Sequence, residues 1–292
     1  MKAIYSLVVA LGSLAIASPT HNEKRQLPLS IGMIGIPGIH STFDYIVVGG
    51  GTAGLTVAKR LAEDRSVNVA MVEAGTLYQV SEPLIAETPG GDVTFVGTKE
   101  TEPTVDWGFF TAPDPVSNNV QRSYARGKCL VGSSARNFMI YQRPTSGSLD
   151  KWADKQETRL TAHFTPPGPN RATNATAEYN YGTFLATGGP LQVSYPNYAQ
   201  TFSGYMQGGL NKIGIPAIQD FNSGSLLGCQ YCSTTIDPAN EKRESSQTSF
   251  LSEAASAGLN NLKIFTLTMA KRIVFDADNK ATGVKVETAL LP

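Results

Sequence analysis

Histidine and cysteine are both scarce in this 292-residue chain, with three of each. His21, His40 and His163 lie far apart, and the pair in Cys229-Gln230-Tyr231-Cys232 finds no second pair of ligands, so no metal site is expected. An odd cysteine count leaves at least one thiol unpaired, and both a buried free thiol and a local disulfide remain open. An excess of charge is lacking too. The 24 basic and 24 acidic residues cancel without any like-charged block, which excludes the electrostatic footprint of nucleic acid or an anionic membrane. Internal repeats and low-complexity tracts are absent. The apolar run of "MKAIYSLVVALGSLAIAS" is too short to span a bilayer and ends in small residues, so residues 1–18 are predicted to be a signal peptide, with the mature protein secreted and no membrane span. Secretion makes the sequon Asn174-Ala175-Thr176 an expected glycosylation site. What is present, 41% apolar and 16% charged residues, suits an ordinary globular protein with a large core.

Beyond the signal, residues 19–40 are rich in Pro, Gly and Ser and predict an extended lead-in arm, with the ordered domain beginning near Ser41. Pro83, Pro89, Pro103, Pro113 and Pro115 break the text from Thr76 to Ser123 and leave no room for a long helix. Residues 158–180 return to Pro, Gly and polar residues, predicting an exposed loop that holds His163. "GGPLQVSYPNYAQTFSGYMQGGLNKIGIP" reads as a short strand, then a helix with Phe202, Met206 and Leu210 near helical spacing and a stop at Gly214. Ser245 or Ser246 is placed to cap a helix through "SQTSFLSEAASAG", and "LKIFTLT" with "AKRIVFDADNKATGVKVE" predicts a β-meander turning at Asp278-Asn279-Lys280.

Chemistry enters at Phe43–Gly75. "FDYIVV" predicts a buried strand running into the spacing G-x-G-x-x-G at Gly49, Gly51 and Gly54. The first glycine permits a tight turn, the second lets a pyrophosphate approach the backbone, and the third lets the following helix, Thr52 to about Asp64, pack on the strand. That helix aims its N-terminal N–H groups and positive dipole end at the pyrophosphate. A second strand, "VNVAMV", ends at Glu73, at the spacing of an acid that accepts from an adenosine ribose and repels a 2′-phosphate, which disfavours NADP. A glycine-rich turn alone is a weak signal; between a strand and a helix, with an acid in register, it is a strong one. The βαβ unit by itself does not separate FAD from NAD.

The later block "ARGKCLVGSSARNFMIYQR" strongly resembles the glucose-methanol-choline (GMC) family of flavin oxidoreductases, whose usual text here is close to RGK-x-LGGSS-x-x-N-x-M-x-Y. "DYIVVGGGTAGL", "VEAG", "DWGF", "GGPLQVS", "TSFL" and "NLKIFTLTMAKRIVFDADNKATGVKVE" add to it, covering almost all of Phe43 to Glu287. The resemblance implies an α/β fold, α+β overall: a Rossmann-like FAD-binding domain in two parts, 41–157 and 241–292, with part of a substrate-binding domain at 158–240 between them. It implies FAD as cofactor, held at its ADP half by Gly49, Gly51, Thr52, Ala53, Gly54, Glu73 and Ala74. Arg126, Gly132, Ser133, Ser134 and Asn137 would lie along pyrophosphate and isoalloxazine, with Phe138, Met139 and Ile140 beside the ring and Ala270 at the adenine. Small residues let backbone approach a flat ring, and an amide donates to its polar edge. Arg136 and Arg143 read equally well as surface charges, Trp107 as core, and Tyr195 and Tyr198 as surface residues without a role.

Three departures qualify the resemblance. Val131 stands where the family has a glycine, placing a branched side chain where backbone passes close to FAD. Only "ETRLTA" joins "DKWADKQ" to "HFTPPGPN", where the family carries a further helical segment. The family's G-x-x-x-S-P-x-x-L-x-x-S-G-I-G signature and its histidine-bearing C-terminal region find no match, so the chain reads as C-terminally truncated and the catalytic residue is unknown. Two readings follow. One is an FAD-dependent oxidoreductase acting on a small hydroxyl substrate with oxygen or a quinone as electron acceptor; the other is an FAD-binding protein or fragment without chemistry.

Overall fold

The computed structural model describes residues 29–96, 98, 100–150, 162–167, 171–173, 179–184 and 188–288. The predicted signal peptide and the Asn174 sequon lie outside the described residues. At the centre is a parallel three-stranded sheet in the order β1 (Tyr45–Val48), β2 (Val69–Val72), β9 (Leu262–Phe265). Its register aligns Val48 with Val72 and Val72 with Phe265, so all three strands end level. β2 is flanked on both edges and all four of its residues are buried, the continuous apolar strand that a parallel sheet requires. Between β1 and β2 runs α1 (Thr52–Ala62), which buries Leu55, Ala58 and Ala62. Together with Met71, Leu130, Leu251, Leu262 and Ile264 these residues form the main core.

Two expectations fail here for identifiable reasons. β1 is not buried: among the described residues only β2 pairs with it, and Tyr45, Ile46 and Val48 are exposed, Val48 at 53%. Nor is the whole lead-in arm free of the domain, which begins before Ser41. Residues 31–33 form a short 3₁₀ turn, Met33 is fully buried in the core, and Gly35 N–H donates to the Ile264 carbonyl at 2.8 Å. Apart from that turn and a bridge at Ile34, the described part of the arm, residues 29–40, is irregular, and one large apolar side chain anchors it.

β3 (Thr76–Leu77) pairs in parallel with β4 (Cys129–Leu130), bringing distant segments beside the ends of β1 and β2. Only short helices follow β3, α2 (Tyr78–Ser81) and α3 (Pro83–Glu87), as the prolines dictate. Residues 106–127 then run out and back as an irregular antiparallel ribbon, bridged at Asp106–Gly127, Phe110–Ser123 and Asp114–Val120. Asp114 caps the tip, accepting from Val116 N–H, and Asn118 and Asn119 adopt the left-handed conformation there.

A second, smaller core contains Ala162, Phe164, Phe184, Val193 and Tyr195. It is bordered by β5 (Ile140–Tyr141) paired with β8 (Ser233–Thr234), and by β6 (Ala162–Phe164) paired with β7 (Leu191–Val193). β6 corrects the expected exposed loop: Ala162 and Phe164 face inward while His163 points out, an alternation too short to stand out among its Pro and Gly neighbours. Tyr195 is likewise buried in this core, whereas Tyr198 is exposed as expected. Past α4 (Ser146–Asp150), the predicted helix appears as α5 (Thr201–Lys212), followed by Gly214 at a φ of +91°, yet none of its residues is buried.

The last strands are not one meander. β9 joins the parallel sheet, and only β10 (Thr268–Phe275) and β11 (Ala281–Thr288) form an antiparallel hairpin. Asp276 closes that hairpin by accepting from Asp278 and Lys280 N–H groups, with Asn279 left-handed. Before β9, Ser245 Oγ accepts from Gln247 and Thr248 N–H groups at 3.3 and 3.4 Å, and a single π turn, Gln247–Leu251, runs into α6 (Ser252–Ser256).

Glu244, just before this cap, accepts from Thr248 Oγ1 at 3.0 Å, and burial, with Asp237 adding repulsion, pushes its carboxyl up to about 7. From its ordinary value of 4.5 to about 7, the folded chain holds a proton that the unfolded chain has released, so stability falls as pH rises through this window. Glu244→Gln removes that loss. In urea denaturation the variant is expected to be about 3 kcal/mol more stable than the wild type at pH 8 and about equal to it near pH 4, below the ordinary carboxyl value. Equal stabilities at both pH values would refute this account of Glu244.

Candidate functional site

The turn leaving β1 is built by glycines with separate tasks. Gly49 sits at a φ of +93° and donates to the Val72 carbonyl at 2.8 Å, locking the turn to the end of β2. Gly54, in the first turn of α1, lies so close to Gly49 that an added Cβ would stand 1.9 Å from the Gly49 carbonyl oxygen. No side chain caps α1 at Gly51, so the positive end of the helix faces the space above the sheet.

Glu73 follows β2 and is 6% exposed. Its two carboxylate oxygens accept from Gly50 N–H at 2.7 Å and Gly75 N–H at 2.8 Å, tying the glycine turn to the chain after β2. Burial pushes its pKa above the ordinary value, opposed by the Gly75, Gly50 and Ala74 N–H groups and by the charge of Lys128. A carboxylate oxygen has more than one lone pair, so these bonds leave acceptor capacity for a ribose hydroxyl.

The facing wall comes from residues 126–134. Gly132, at a φ of +56°, approaches Gly51 so closely that a Cβ on Gly132 would lie 3.0 Å from the Gly51 Cα. Gly127 in turn passes under Gly132, where a Cβ would meet the Gly132 oxygen at 2.1 Å. Val131 is left-handed at a φ of +103°, and its side chain is fully buried in the core. Its side chain therefore does not obstruct a ligand, contrary to the expectation from sequence. The cost is backbone strain of about 1–2 kcal/mol, which burial of about 1.5–3 kcal/mol for a valine side chain offsets.

Between these walls lies a cavity of about 740 Å³. Of the residues predicted from sequence, Gly49, Gly51, Thr52, Ala53, Gly54, Glu73, Ala74, Arg126, Gly132, Ser133 and Ala270 line it. Five do not. Ser134 turns inward, its Oγ donating to the Val131 carbonyl at 3.0 Å, and Met139 is buried at a φ of +57°. Asn137, Phe138 and Ile140 are exposed and do not line it. The ribbon of residues 106–127 supplies wall residues that sequence reasoning missed or misplaced. Trp107, expected in the core, stands at the cavity stacked on Phe109, with ring centroids 5.9 Å apart. Tyr124 lines the cavity too, and the Arg126 guanidinium lies 3.8 Å over its ring. They reach the cavity through the antiparallel bridging of "VDWGFF" with "RSYARG", which carries no alternating strand pattern in the sequence.

Arg136 and Arg143 are not surface charges. Arg136 is buried 3.5 Å from the equally buried Asp106 carboxylate, the residue preceding Trp107. Arg143 stacks on Phe184 and donates to the Thr183 carbonyl at 2.5 Å. All three cysteines are free, and burial pushes Cys129 up to about 12, which makes it an inert core thiol. Among the described residues no cluster suited to a metal ion occurs, and no helix is long and apolar enough to cross a membrane.

Parallel strands that end level beneath a glycine turn and a helix N-terminus place this protein in the class of dinucleotide-binding α/β proteins. Within that class, the chain belongs to the GMC oxidoreductase family, whose profile matches residues 43–290. It is 38% identical to patulin synthase of Aspergillus clavatus, covering 99% of this chain and 49% of that protein. It is 40% identical to versicolorin B synthase of Aspergillus parasiticus, over 88% of this chain and 42% of that one. Among solved structures, an FAD-dependent oxidoreductase from Chaetomium thermophilum superposes with a TM-score of 0.71 at 25% identity, covering 85% of this chain and 42% of that one. A formate oxidase superposes with a TM-score of 0.65 at 26% identity, over 85% of this chain and 42% of that one. The chain thus spans about half the length of the curated relatives it matches. The family and its flavin-dependent structural neighbours support FAD as the cofactor.

Proposed function

We propose that this chain forms the FAD-holding part of a GMC oxidoreductase that oxidises a CH–OH group of an alcohol, sugar or secondary metabolite, passing electrons on to oxygen or a quinone. The carrying observation is the shared cavity: the glycine turn, Glu73, Arg126, the Gly132–Ser133 turn and Ala270 all face one space. These residues fit the group. The N-terminal end of α1 and Arg126 suit a pyrophosphate, and the near contact of Gly51 with Gly132 leaves bare backbone where a side chain would intrude. Glu73 suits the adenosine ribose, and Trp107 and Phe109 offer flat apolar wall. When bound, FAD supplies the hydride acceptor for conversion of CH–OH to C=O. Among the described residues no histidine lines the cavity, so the group that takes the hydroxyl proton is left unassigned. The names of the relatives, two of them synthases of specific compounds, support a secondary metabolite as the substrate class. Secretion after cleavage near residue 18 and a glycan on Asn174 complete the proposal, on the strength of the N-terminal apolar run and the sequon.

Flavin absorbance of the purified chain tests it: a yellow protein with stoichiometric FAD is expected, and colourless protein that takes up no added FAD would refute it. Bleaching of bound flavin by an alcohol under anaerobic conditions separates an oxidoreductase from an FAD-binding protein without chemistry.

A further inference from the structure

We propose that Arg136 is a positioning residue: through its buried ion pair with Asp106 it holds the base of the 106–127 ribbon against the Gly132–Ser133 wall, and so sets how closely Trp107 approaches a ligand in the cavity; this rests on the FAD reading above. Asp106 opens the ribbon. Trp107 and Phe109 line the cavity from the outgoing strand, and Tyr124, Arg126 and Gly127 line it from the returning one. The two strands meet in isolated bridges, without a continuous ladder to stiffen them, so where the base is fixed decides where these side chains stand. Packing fixes the returning strand: Gly127 passes under Gly132, and its N–H donates to Ser133 Oγ at 3.2 Å. On the outgoing strand the corresponding tie is electrostatic.

The two oxygens of Asp106 have different tasks. Oδ1 accepts from Gly108 N–H at 2.7 Å, shaping the chain around Trp107, with Gly108 at a φ of +67°. Oδ2 lies 3.5 Å from Arg136 Nε, and the two side chains are 2% and 8% exposed. Among the described residues neither Oδ2 nor Nε has a hydrogen-bond partner, so these two buried atoms have only their mutual attraction. Arg136 reaches across from the opposite wall, where its own N–H donates to the Ser133 carbonyl at 3.1 Å. It also repels Arg243, a second buried guanidinium, which donates to the carbonyl oxygens of Ala86, Ser134 and Asn137. Asp106 is therefore, among the described residues, the one carboxylate that pairs with either cation. Two like charges in a site nearly free of water draw this anion, and the ribbon base with it, toward the Ser133 segment.

Removing both charges together separates this role from a purely structural one. In a Trp152→Phe background Trp107 is the only tryptophan, so its emission reports its own surroundings. Urea denaturation, acrylamide quenching of Trp107 without FAD, and FAD titration by absorbance are compared for that background, Asp106→Asn, Arg136→Met, the double variant and Arg136→Lys. Each neutralising single substitution strands a buried charge and is expected to lower stability. The double variant leaves neither partner stranded and is expected to regain that stability, yet to keep a Trp107 more open to acrylamide and to bind FAD at least about tenfold more weakly than the background. Because the pair is a single contact and not a fork, Arg136→Lys is expected to bind FAD within about threefold of the background. A double variant with the quenching and FAD affinity of the background, a double variant no more stable than Asp106→Asn, or a lysine variant that binds FAD no better than the methionine one overturns the assignment alone. A background protein that unfolds cooperatively but takes up no FAD overturns the FAD reading, while quenching of Trp107 in the FAD-free variants still decides whether Arg136 holds the ribbon.

Discussion

Gly54→Ala is expected to abolish FAD uptake and to destabilise the chain by more than about 3 kcal/mol, while the same change at Gly208 stabilises it by about 0.5–1 kcal/mol. Both glycines lie within helices, so intrinsic propensity favours alanine at each. Their surroundings decide the sign. At Gly208, on the exposed α5, a Cβ meets nothing within 4 Å. At Gly54 it would sit 1.9 Å from the Gly49 carbonyl oxygen and 3.5 Å from Val47 Cγ1. The first of these atoms is backbone, so relief requires moving the glycine turn away from α1. That turn is anchored at Val72 through Gly49 N–H and at Glu73 through Gly50 N–H, and moving it breaks both ties. Chemical denaturation measures the stability change and FAD titration the binding. A Gly54→Ala protein that still binds FAD normally would show that close packing of helix on strand does not build the site.

The cradle was legible in the sequence because every part of it is local. Gly49, Gly51, Gly54 and Glu73 fall within one βαβ unit, where strand, turn and helix fix relative positions over a few residues. The second wall, around Arg126 and Gly132, was accessible through resemblance to a family. What escaped is long-range. Trp107 reads as a core tryptophan until the pairing of residues 106–111 with 122–127 is known, and that pairing comes through isolated bridges instead of an alternating strand pattern. Arg243 carries no local signal, since its value lies in Ala86, Ser134 and Asn137, over a hundred residues away. β1 was misread from composition alone: "YIVV" is apolar enough for a central strand, but exposure depends on what lies beside it, and among the described residues only β2 does. Val131 was recognised as unusual for the right residue and the wrong reason. Its anomaly is a left-handed backbone, with the branched side chain directed into the core and away from the cavity.

Replacing Glu73 is expected to show a graded loss that distinguishes geometry from charge: Glu73→Gln loses about 2 kcal/mol of stability, Glu73→Ala about 4 kcal/mol, and both weaken FAD binding by at least about tenfold. Burial already pushes this carboxyl above its ordinary value, so the fold does not depend on the negative charge itself. It depends on two acceptors. Gly50 and Gly75 N–H groups are buried and bond to opposite oxygens of the side chain. Glutamine keeps one of those oxygens and turns an NH₂ toward the other donor, leaving one orphaned N–H; alanine orphans both. The pH dependence separates the charge from the bonds. With its folded pKa raised, Glu73 contributes stability that is fully present below the ordinary carboxylate value and declines as pH rises through the raised one, and Glu73→Gln lacks that decline. The deficit of the glutamine variant should therefore be larger at low pH than at neutral pH. Denaturation curves at two pH values measure it, and identical losses for glutamine and alanine would show that the paired N–H groups are not what Glu73 holds. FAD binding falls in either variant because freeing Gly50 releases the glycine turn from β2, and the helix N-terminus then no longer has a fixed position from which to meet a pyrophosphate.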